Sequence, residues 1–267
     1  MMLQTMDQIP LWAVFMITTL ILFTAAEIGF YFGKWQKRRS KDEEKGQTGT
    51  TLGAALGMLA FMLAFTFGMA GSINEARKGL VLEEANAIGT AYLRAQILSE
   101  PSSSKIKGFL HEYVDVRLKG VQAVQLKDFE QMKQAIARSE ELHNELWALS
   151  VSLAKENPRS IFVGLFVESL NEVIDLHSIR LTKALRNRIP KSIIITLYFV
   201  AILSMTLMGY QAGLSGIRTL VARFALILAF ASVMLLITEL DRPGKTMIKV
   251  SQQAMIDLQA SMNKTKH

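Results

Sequence analysis

A run of twenty residues without a charged side chain, residues 51–70, constrains the fold of this chain more than any other feature. An α-helix needs about 20 mostly apolar residues to cross the hydrocarbon core of a bilayer. Residues 71–99 are charged and amphipathic, but they contain no proline and keep their apolar positions at helical spacing. We therefore expect one long helix that begins in a membrane and leaves it as a rigid rod.

Three further apolar segments are long enough to span a membrane. They are residues 11–32, 191–210 and 218–240. Half of the 267 residues are hydrophobic and the mean hydropathy is +0.25, which excludes an ordinary soluble protein of this size. The sequence predicts an all-α integral membrane protein with four transmembrane helices.

The long segment between the second and third spans, residues 72–190, shows almost no strand pattern. Its apolar residues recur at helical spacing, and Pro158 and Pro190 mark helix boundaries. We predict an inserted antiparallel helical bundle there. The remaining domains are a transmembrane hairpin at 1–71 with a basic loop at 34–49, a second hairpin at 191–240, and a C-terminal tail at 241–267.

The net charge of +7 is concentrated beside the membrane, in the loop 34–49 and in the tail 241–267. Basic residues in such positions suit the anionic headgroups of a lipid bilayer rather than nucleic acid. We expect the bilayer as a partner and no nucleic acid. The absence of cysteine excludes disulfides and thiolate metal sites.

The distribution of Lys and Arg also bears on sidedness. The loop 34–49 is basic, whereas the N-terminal segment before residue 11 contains no Lys or Arg. Because basic short loops stay in the cytoplasm, this contrast favours a bundle on the outer side of the membrane. Basic residues such as Arg77 and Lys191 flank the membrane on the bundle side, which is the opposing signal.

No catalytic constellation is present in the sequence. The four histidines fit no zinc spacing, and neither a phosphate-binding loop nor a Gly-x-Ser-x-Gly motif occurs. We predict a protein that is not an enzyme, with no cofactor and no metal site.

Polar residues in apolar surroundings are the first class of candidate functional residues. Glu27 either reaches the interface from the first span or takes a pore, pairing or proton role, and Arg223 is an interfacial anchor or a similar site. Glu84 stands on an otherwise apolar helix line. In one reading Glu84 pairs with Arg94 or with a basic residue of 180–188. In the other, the Glu84 residues of several subunits form a ring around an ion path.

Small residues are the second class. Gly53, Gly57 and Gly68 lie on one face of the second span, and Gly53-x-x-x-Gly57 is a close-approach pattern of membrane helices. We expect this face to pack against neighbouring subunits or to line the ion path. Asn86 and Thr90 are read as a solvated face or as part of the same functional region.

The end of the fourth span carries the last candidates. Glu239, Asp241 and Arg242 stand close together before Pro243. They form either a local helix cap or a hinge and pore-mouth ring.

Three segments carry a family resemblance: Phe-Thr-Phe-Gly at 65–68, Leu-Glu-Glu-Ala-Asn-Ala-Ile-Gly-Thr-Ala-Tyr-Leu-Arg at 82–94, and Leu-Asp-Arg-Pro at 240–243. In these residues, and in its layout, the chain resembles a family of bacterial membrane proteins described as bestrophin-like. Glu239 departs from the Asp of the family pattern. The resemblance implies kinship with bestrophins, which are mainly helical, pentameric anion channels whose soluble domain and termini are cytoplasmic.

The resulting functional prediction is a homo-oligomeric ion channel or pore of the bacterial inner membrane, with the bundle on the periplasmic side. It is a pentamer by family analogy only, and inorganic ions are among its partners. The sequence does not specify ion selectivity. The alternative is a membrane-anchored sensor or scaffold whose bundle binds a ligand or a partner protein.

Overall fold

The structure is a computed structural model that describes residues 9–39, 45–126, 128–185, 187–216, 220–242 and 250–264. These residues form eight α-helices and no strand. The helices are α1 Leu11–Arg39, α2 Lys45–Ala95, α3 Ser102–Leu126, α4 Phe129–Glu156, α5 Ile161–Leu185, α6 Lys191–Ser215, α7 Leu220–Asp241 and α8 Gln253–Lys264. The predicted all-α class is confirmed.

The chain divides into two compact units. Unit 1 comprises Met1–Ile73 and Arg188–Arg242, and unit 2 comprises Asn74–Asn187 and Pro243–His267. Among the described residues, α1, α2, α6 and α7 are long and apolar enough to cross a membrane. The predicted four spans are therefore present, and the protein is a multi-pass membrane protein. Residues 40–44 of the predicted basic loop, residue 186, the first two residues of the predicted span 218–240, and Pro243 lie outside the described residues.

Helix ends follow local sequence signals. Asp128 precedes α4, and its carboxylate accepts a hydrogen bond from the backbone N–H of Gln131 at 3.0 Å. Pro190 precedes α6, where its missing N–H costs no helical hydrogen bond. Gly216 ends α6 with a φ of +77°, a left-handed conformation that glycine adopts without steric cost. These residues separate the long helices by short connections.

In unit 1, α1 packs against α6 and α7. Its contact with α6 is made by glycines on both helices, Gly29 and Gly33 on α1 and Gly209 and Gly213 on α6. A Cβ at any of these four positions would collide with a backbone carbonyl of the facing helix; those carbonyls belong to Thr206, Tyr210, Ala26 and Phe30. The two Gly-x-x-x-Gly pairs thus allow backbone contact between α1 and α6.

The small face predicted to pack closely on α2 has a different environment. Gly53, Gly57 and Gly68 are exposed, and a Cβ at any of them would meet nothing within 4 Å. No described segment of this chain covers that face of α2. That this face packs against neighbouring subunits or lines an ion path stays a prediction.

Unit 2 is a helical bundle that contains the second part of α2 and α3, α4, α5 and α8. In it α3 packs against α4 and α8, and α4 packs against α5. Fully buried apolar side chains from several helices form one core, among them Ile88, Leu110, Leu146 and Phe166. This core brings the polar side chains of the candidate site together.

Helix α8 differs from the sequence prediction, which has a tail without a helix at residues 241–267. It has only 12 residues, and Met255 and Met262 are its buried anchors in the core of unit 2. An isolated helix of this length is marginal in water, so packing against α3 stabilises it rather than intrinsic propensity.

The glycine contact of α1 and α6 gives a first prediction. We expect Gly209→Ala to lower the free energy of unfolding by roughly 1–3 kcal/mol, because the new methyl group forces the two backbones apart. Gly108→Ala on the exposed face of α3 is the control, with open space at its Cβ and an expected gain of about 0.5–1 kcal/mol, because alanine loses less backbone entropy than glycine in a helix. Thermal unfolding in detergent measures both. Equal effects would contradict the assignment of the contact.

A buried ion-pair cluster as the candidate functional site

Glu84 is the centre of the candidate site. It lies on the part of α2 in unit 2, and its side chain is 0% exposed. Its neighbours on the buried face of that helix, including Leu80, Val81 and Ile88, are apolar. An isolated carboxylate in such a place would cost several kcal/mol, so its charge requires partners.

Two arginines supply that compensation. Arg117 on α3 donates from Nε to Glu84 Oε1 at 2.8 Å and from Nη2 to Oε2 at 3.2 Å, a bidentate arrangement. Arg180 on α5 donates from Nη1 to Glu84 Oε2 and from Nη2 to Gln252 Oε1 at 2.8 Å. The Glu84 carboxylate therefore links α2, α3 and α5, and Arg180 extends the link to Gln252, the residue before α8.

Tyr113 extends the cluster toward a histidine. Its hydroxyl donates to Glu84 Oε1 at 2.8 Å, so its oxygen is left to accept from His177 Nδ1 at 3.0 Å. This direction fixes His177 as the tautomer with the proton on Nδ1 and a lone pair on Nε2. Burial raises the pKa of Tyr113 well above its ordinary value, and the charge of Glu84 raises that pKa further.

A second histidine lies beside the first. The rings of His143 and His177 are 4.8 Å apart and perpendicular, and the Nε2 atom of each is buried without a hydrogen-bond partner. Burial, assisted by the charge of Arg117, lowers the pKa of His143 to about 4 and that of His177 to about 3. Both imidazoles are therefore neutral at pH 7.

The chemistry open to this cluster is electrostatic. No cluster of three or more potential metal ligands occurs in the part of the chain that the structure describes. The carboxylate is fully enclosed, and two guanidinium groups and a phenol occupy its oxygens. Of the two readings of Glu84, the geometry supports the internal ion pair and gives no support to a pore-lining ring.

The other residues predicted around Glu84 are not part of the cluster. Arg94, one of its two predicted partners, instead donates to the carbonyl of Leu165 at 2.6 Å and lies 3.6 Å from Glu168. Asn86 and Thr90 are exposed on α2. Arg180 lies inside the range 180–188 that was the second predicted source of a partner.

Glu27 and Arg223, predicted separately, form an ion pair between α1 and α7. Arg223 Nη2 is 3.2 Å from Glu27 Oε1, and the guanidinium carbon lies 5.5 Å from the ring centre of Phe30. Both residues belong to unit 1. The pairing reading of Glu27 therefore describes its position better than interfacial exposure.

The acidic and basic residues at the end of α7 make hydrogen bonds and an ion pair within unit 1. Asp241 accepts a hydrogen bond from the backbone N–H of Ile189 at 2.8 Å and lies 3.5 Å from Arg188. Arg242 donates to the carbonyl of Ile9 at 2.7 Å, and Glu239 is buried. These contacts agree with the reading as a local cap.

Sequence reasoning missed four members of the cluster: Tyr113, Arg117, His177 and Gln252. A signal existed for three of them. Tyr113 and Arg117 are four residues apart on α3, and His177 and Arg180 are three apart on α5, so each pair shares a helix face with buried apolar residues. Polar residues on the buried faces of two helices are the mark of a shared polar core.

The cluster yields a prediction for Glu84→Gln. We expect a loss of about 3 kcal/mol in the free energy of unfolding, because two buried guanidinium groups lose their counter-charge. The matched control is Glu83→Gln, an exposed neighbour for which we expect a change within about 0.5 kcal/mol. Thermal unfolding of both variants at pH 7 is the measurement. A Glu84→Gln protein as stable as the control would refute the structural role.

Comparisons with known proteins agree with this architecture. A crystal structure of a mutant bacterial bestrophin homolog from Klebsiella pneumoniae has a TM-score of 0.62 and 13% identity, covering 95% of this chain and 97% of that one. A crystal structure of a mutant membrane protein has a TM-score of 0.59 and 13% identity, covering 93% and 95%. At this identity the two structures show the shared fold.

The curated proteins include no match to the sequence. The sequence does match a family, under the description Bestrophin-like domain, over residues 11–255. Because this match covers most of the 267 residues, the chain belongs to the Bestrophin-like domain family.

Proposed function

We propose that this protein is a homo-oligomeric ion channel of the bacterial inner membrane in which the exposed face of α2 lines the ion path or packs against neighbouring copies. Membership of the Bestrophin-like domain family supports a channel-type protein. The exposed face of α2 carries the proposal.

In the apolar part of α2, Gly53, Gly57, Phe61, Ala64 and Gly68 share one helix face at steps of three or four residues. All five are exposed, and Phe61 reaches 72% exposure. Contact with lipid alone does not favour glycine on a helix surface. Close packing against a second helix, or a narrow ion path, does favour it. This face therefore suits a neighbouring copy or an opening between copies.

The part of α2 in unit 2 also has an open face. Leu82, Asn86, Thr90 and Leu93 are exposed there. Asn86 and Thr90 provide an amide and a hydroxyl, which are groups that can replace water around either sign of ion. We propose them as ion contacts and leave ion selectivity open.

An oligomer also explains exposed apolar side chains on unit 2. Ile161 is 75% exposed and Phe162 is 54% exposed, both in the first turn of α5. Large apolar residues in such positions mark interaction surfaces. The number of subunits is proposed as five by family analogy alone.

The same surface favours the second candidate function, a membrane-anchored sensor or scaffold. In that case, Ile161 and Phe162 would bind another protein rather than a second copy. The two functions differ in whether the purified protein alone conducts ions.

For sidedness we propose the arrangement that the charge distribution favours, with the short loops in the cytoplasm and the bundle in the periplasm. The opposite arrangement is the one that kinship with bestrophins implies. A reporter fusion separates the two.

The channel proposal predicts the effect of Gly57→Leu. A large side chain on the open face of α2 should break the assembly or close the path, with at least tenfold lower ion flux in liposomes under a KCl gradient. Phe61→Leu, one turn away on the same face, is the control and should retain flux within about threefold.

The measurements are oligomer mass in detergent and flux in liposomes. Equal behaviour of the two variants would remove any special role of the small face. No current from folded wild-type protein, across pH and voltage, would contradict the channel and favour the sensor or scaffold.

The topology proposal predicts the activity of reporters that work only in the cytoplasm. A fusion after Lys45 should be active, and one inserted between residues 125 and 130 should be silent, because basic short loops are retained in the cytoplasm. Expression of both fusions is measured by immunoblot as a control. The reverse pattern would place the bundle in the cytoplasm, as in bestrophins.

A further inference from the structure

Two buried histidines lie in the core of unit 2, beside the ion pairs of Glu84. His143 on α4 is 7% exposed and His177 on α5 is 3% exposed. Their ring centres are 4.8 Å apart, and the ring centre of His143 is also 4.8 Å from that of Tyr113 on α3. The two imidazoles therefore form part of the packing of α3, α4 and α5.

Neither imidazole has a place for a second proton. Nδ1 of His177 already donates to Tyr113, so an added proton would go to Nε2. A protonated His143 would also carry a proton on Nε2, because both nitrogens of an imidazolium are donors. Both Nε2 atoms are enclosed and have no hydrogen-bond partner among the described residues. Protonation would thus create a buried charge and a buried donor without an acceptor at the same time.

The charges around the pair oppose protonation as well. Glu84 from α2 faces Arg117 from α3 and Arg180 from α5, which leaves one positive charge in excess. The carboxylate oxygens of Glu84 already accept from both arginines and from Tyr113. The segment before α8 contributes the uncharged amide of Gln252, and the other charged residues of α3, α4 and α5 are exposed or half-buried. A second or third positive charge would therefore have no counter-charge of its own.

We propose that His143 and His177 make unit 2 an acid-sensitive element, in which the packing of α4 and α5 opens locally as the pH falls below neutral. In the opened form each imidazole reaches water, which accepts from its second N–H. Proton uptake then stabilises the opened form, because the closed form excludes the added proton. The device requires only the neutral, enclosed pair that the structure contains.

The direction of the pH dependence follows from the lowered pKa values of the pair. Burial, assisted by Arg117, holds the pKa of His143 at about 4 and that of His177 at about 3. An imidazole in water has a pKa of about 6.5. Because the pKa is lower in the closed form, the stability that the neutral pair contributes is complete above about pH 6.5 and is lost progressively as the pH falls toward 4.

Glu84 responds in a lower pH range than the histidines. Burial would raise the pKa of Glu84, but Arg117 and Arg180 outweigh it and hold this pKa at about 2, below the ordinary value of 4.5. The stability contributed by the ionised carboxylate is therefore lost only as the pH falls below about 4.5. A response between about pH 6.5 and 4.5 consequently reports on the two histidines rather than on the ion pairs.

The test is amide hydrogen exchange of the full chain in detergent, measured by mass spectrometry at pH 7 and pH 5.5. Rates are corrected for intrinsic exchange at each pH. For peptides within 139–150 and 170–180, we expect the opening equilibrium to rise about eightfold for each histidine, or roughly 60-fold for both. Unit 1, whose segments Met1–Ile73 and Arg188–Arg242 contain no histidine, is the internal reference and should change by no more than about twofold.

Two substitutions remove the titrating groups with little change of shape. His143→Phe keeps a ring against Tyr113, and His177→Asn keeps an amide N–H donor near the position of Nδ1. Each single variant should retain a response of about eightfold, and the double variant should respond by no more than about twofold. His111→Gln is the control, because His111 hydrogen-bonds Asn263 at 2.7 Å and lies outside the pair, so the roughly 60-fold response should remain within about threefold.

A second measurement needs no substitution and covers the case in which the double variant folds poorly. Deuterium exchange at the imidazole C2 atom follows the protonation of each histidine in the wild-type chain. We expect midpoints for His143 and His177 at least about one pH unit below 6.5. Midpoints near 6.5, a wild-type peptide response no larger than that of unit 1, or a full response in the double variant would each overturn the proposal. These readouts do not involve ion flux, so they are independent of the channel proposal.

Discussion

The free-energy cost of removing a charge from water explains the arrangement of the polar residues in unit 2. Glu84 is fully buried and could not remain ionised there without Arg117 and Arg180. Glu84, Arg117 and Arg180 together carry one excess positive charge, and this excess explains why the groups beside them are uncharged. Tyr113 satisfies the carboxylate without adding charge, and two neutral histidines fill the remaining space. Burial disfavours a charged imidazole there and the positive charge of Arg117 disfavours it further, which is why the pKa values of both histidines are low.

The ion pair of unit 1 is less complete. Glu84 has hydrogen bonds from three side chains, whereas Arg223 lies 3.2 Å from Glu27 without a hydrogen bond. Both are buried charges, but only the first has its hydrogen-bonding capacity filled by the protein. The difference rests on geometry rather than on residue type, since both sites pair glutamate with arginine.

Sequence reasoning predicted the fold because the controlling signals are local. Length and hydropathy identify a spanning helix, and proline and glycine mark its ends. The pairing of Glu84 was only partly predictable, since Arg117 is 33 positions away and Arg180 is 96 positions away. Three-residue and four-residue spacing shows which residues share a helix face, but not which faces meet.

The glycines show the same limit. Gly53-x-x-x-Gly57, Gly29-x-x-x-Gly33 and Gly209-x-x-x-Gly213 are equivalent as sequence patterns. The structure uses the last two for contact between α1 and α6 and leaves the first uncovered within the described chain. A Gly-x-x-x-Gly pattern indicates that another helix can pack closely against this one. That second helix can belong to the same chain or to another molecule. Because α1 and α6 satisfy each other, the pattern on α2 is the one available to a second copy, which is why the proposed assembly is built on that helix.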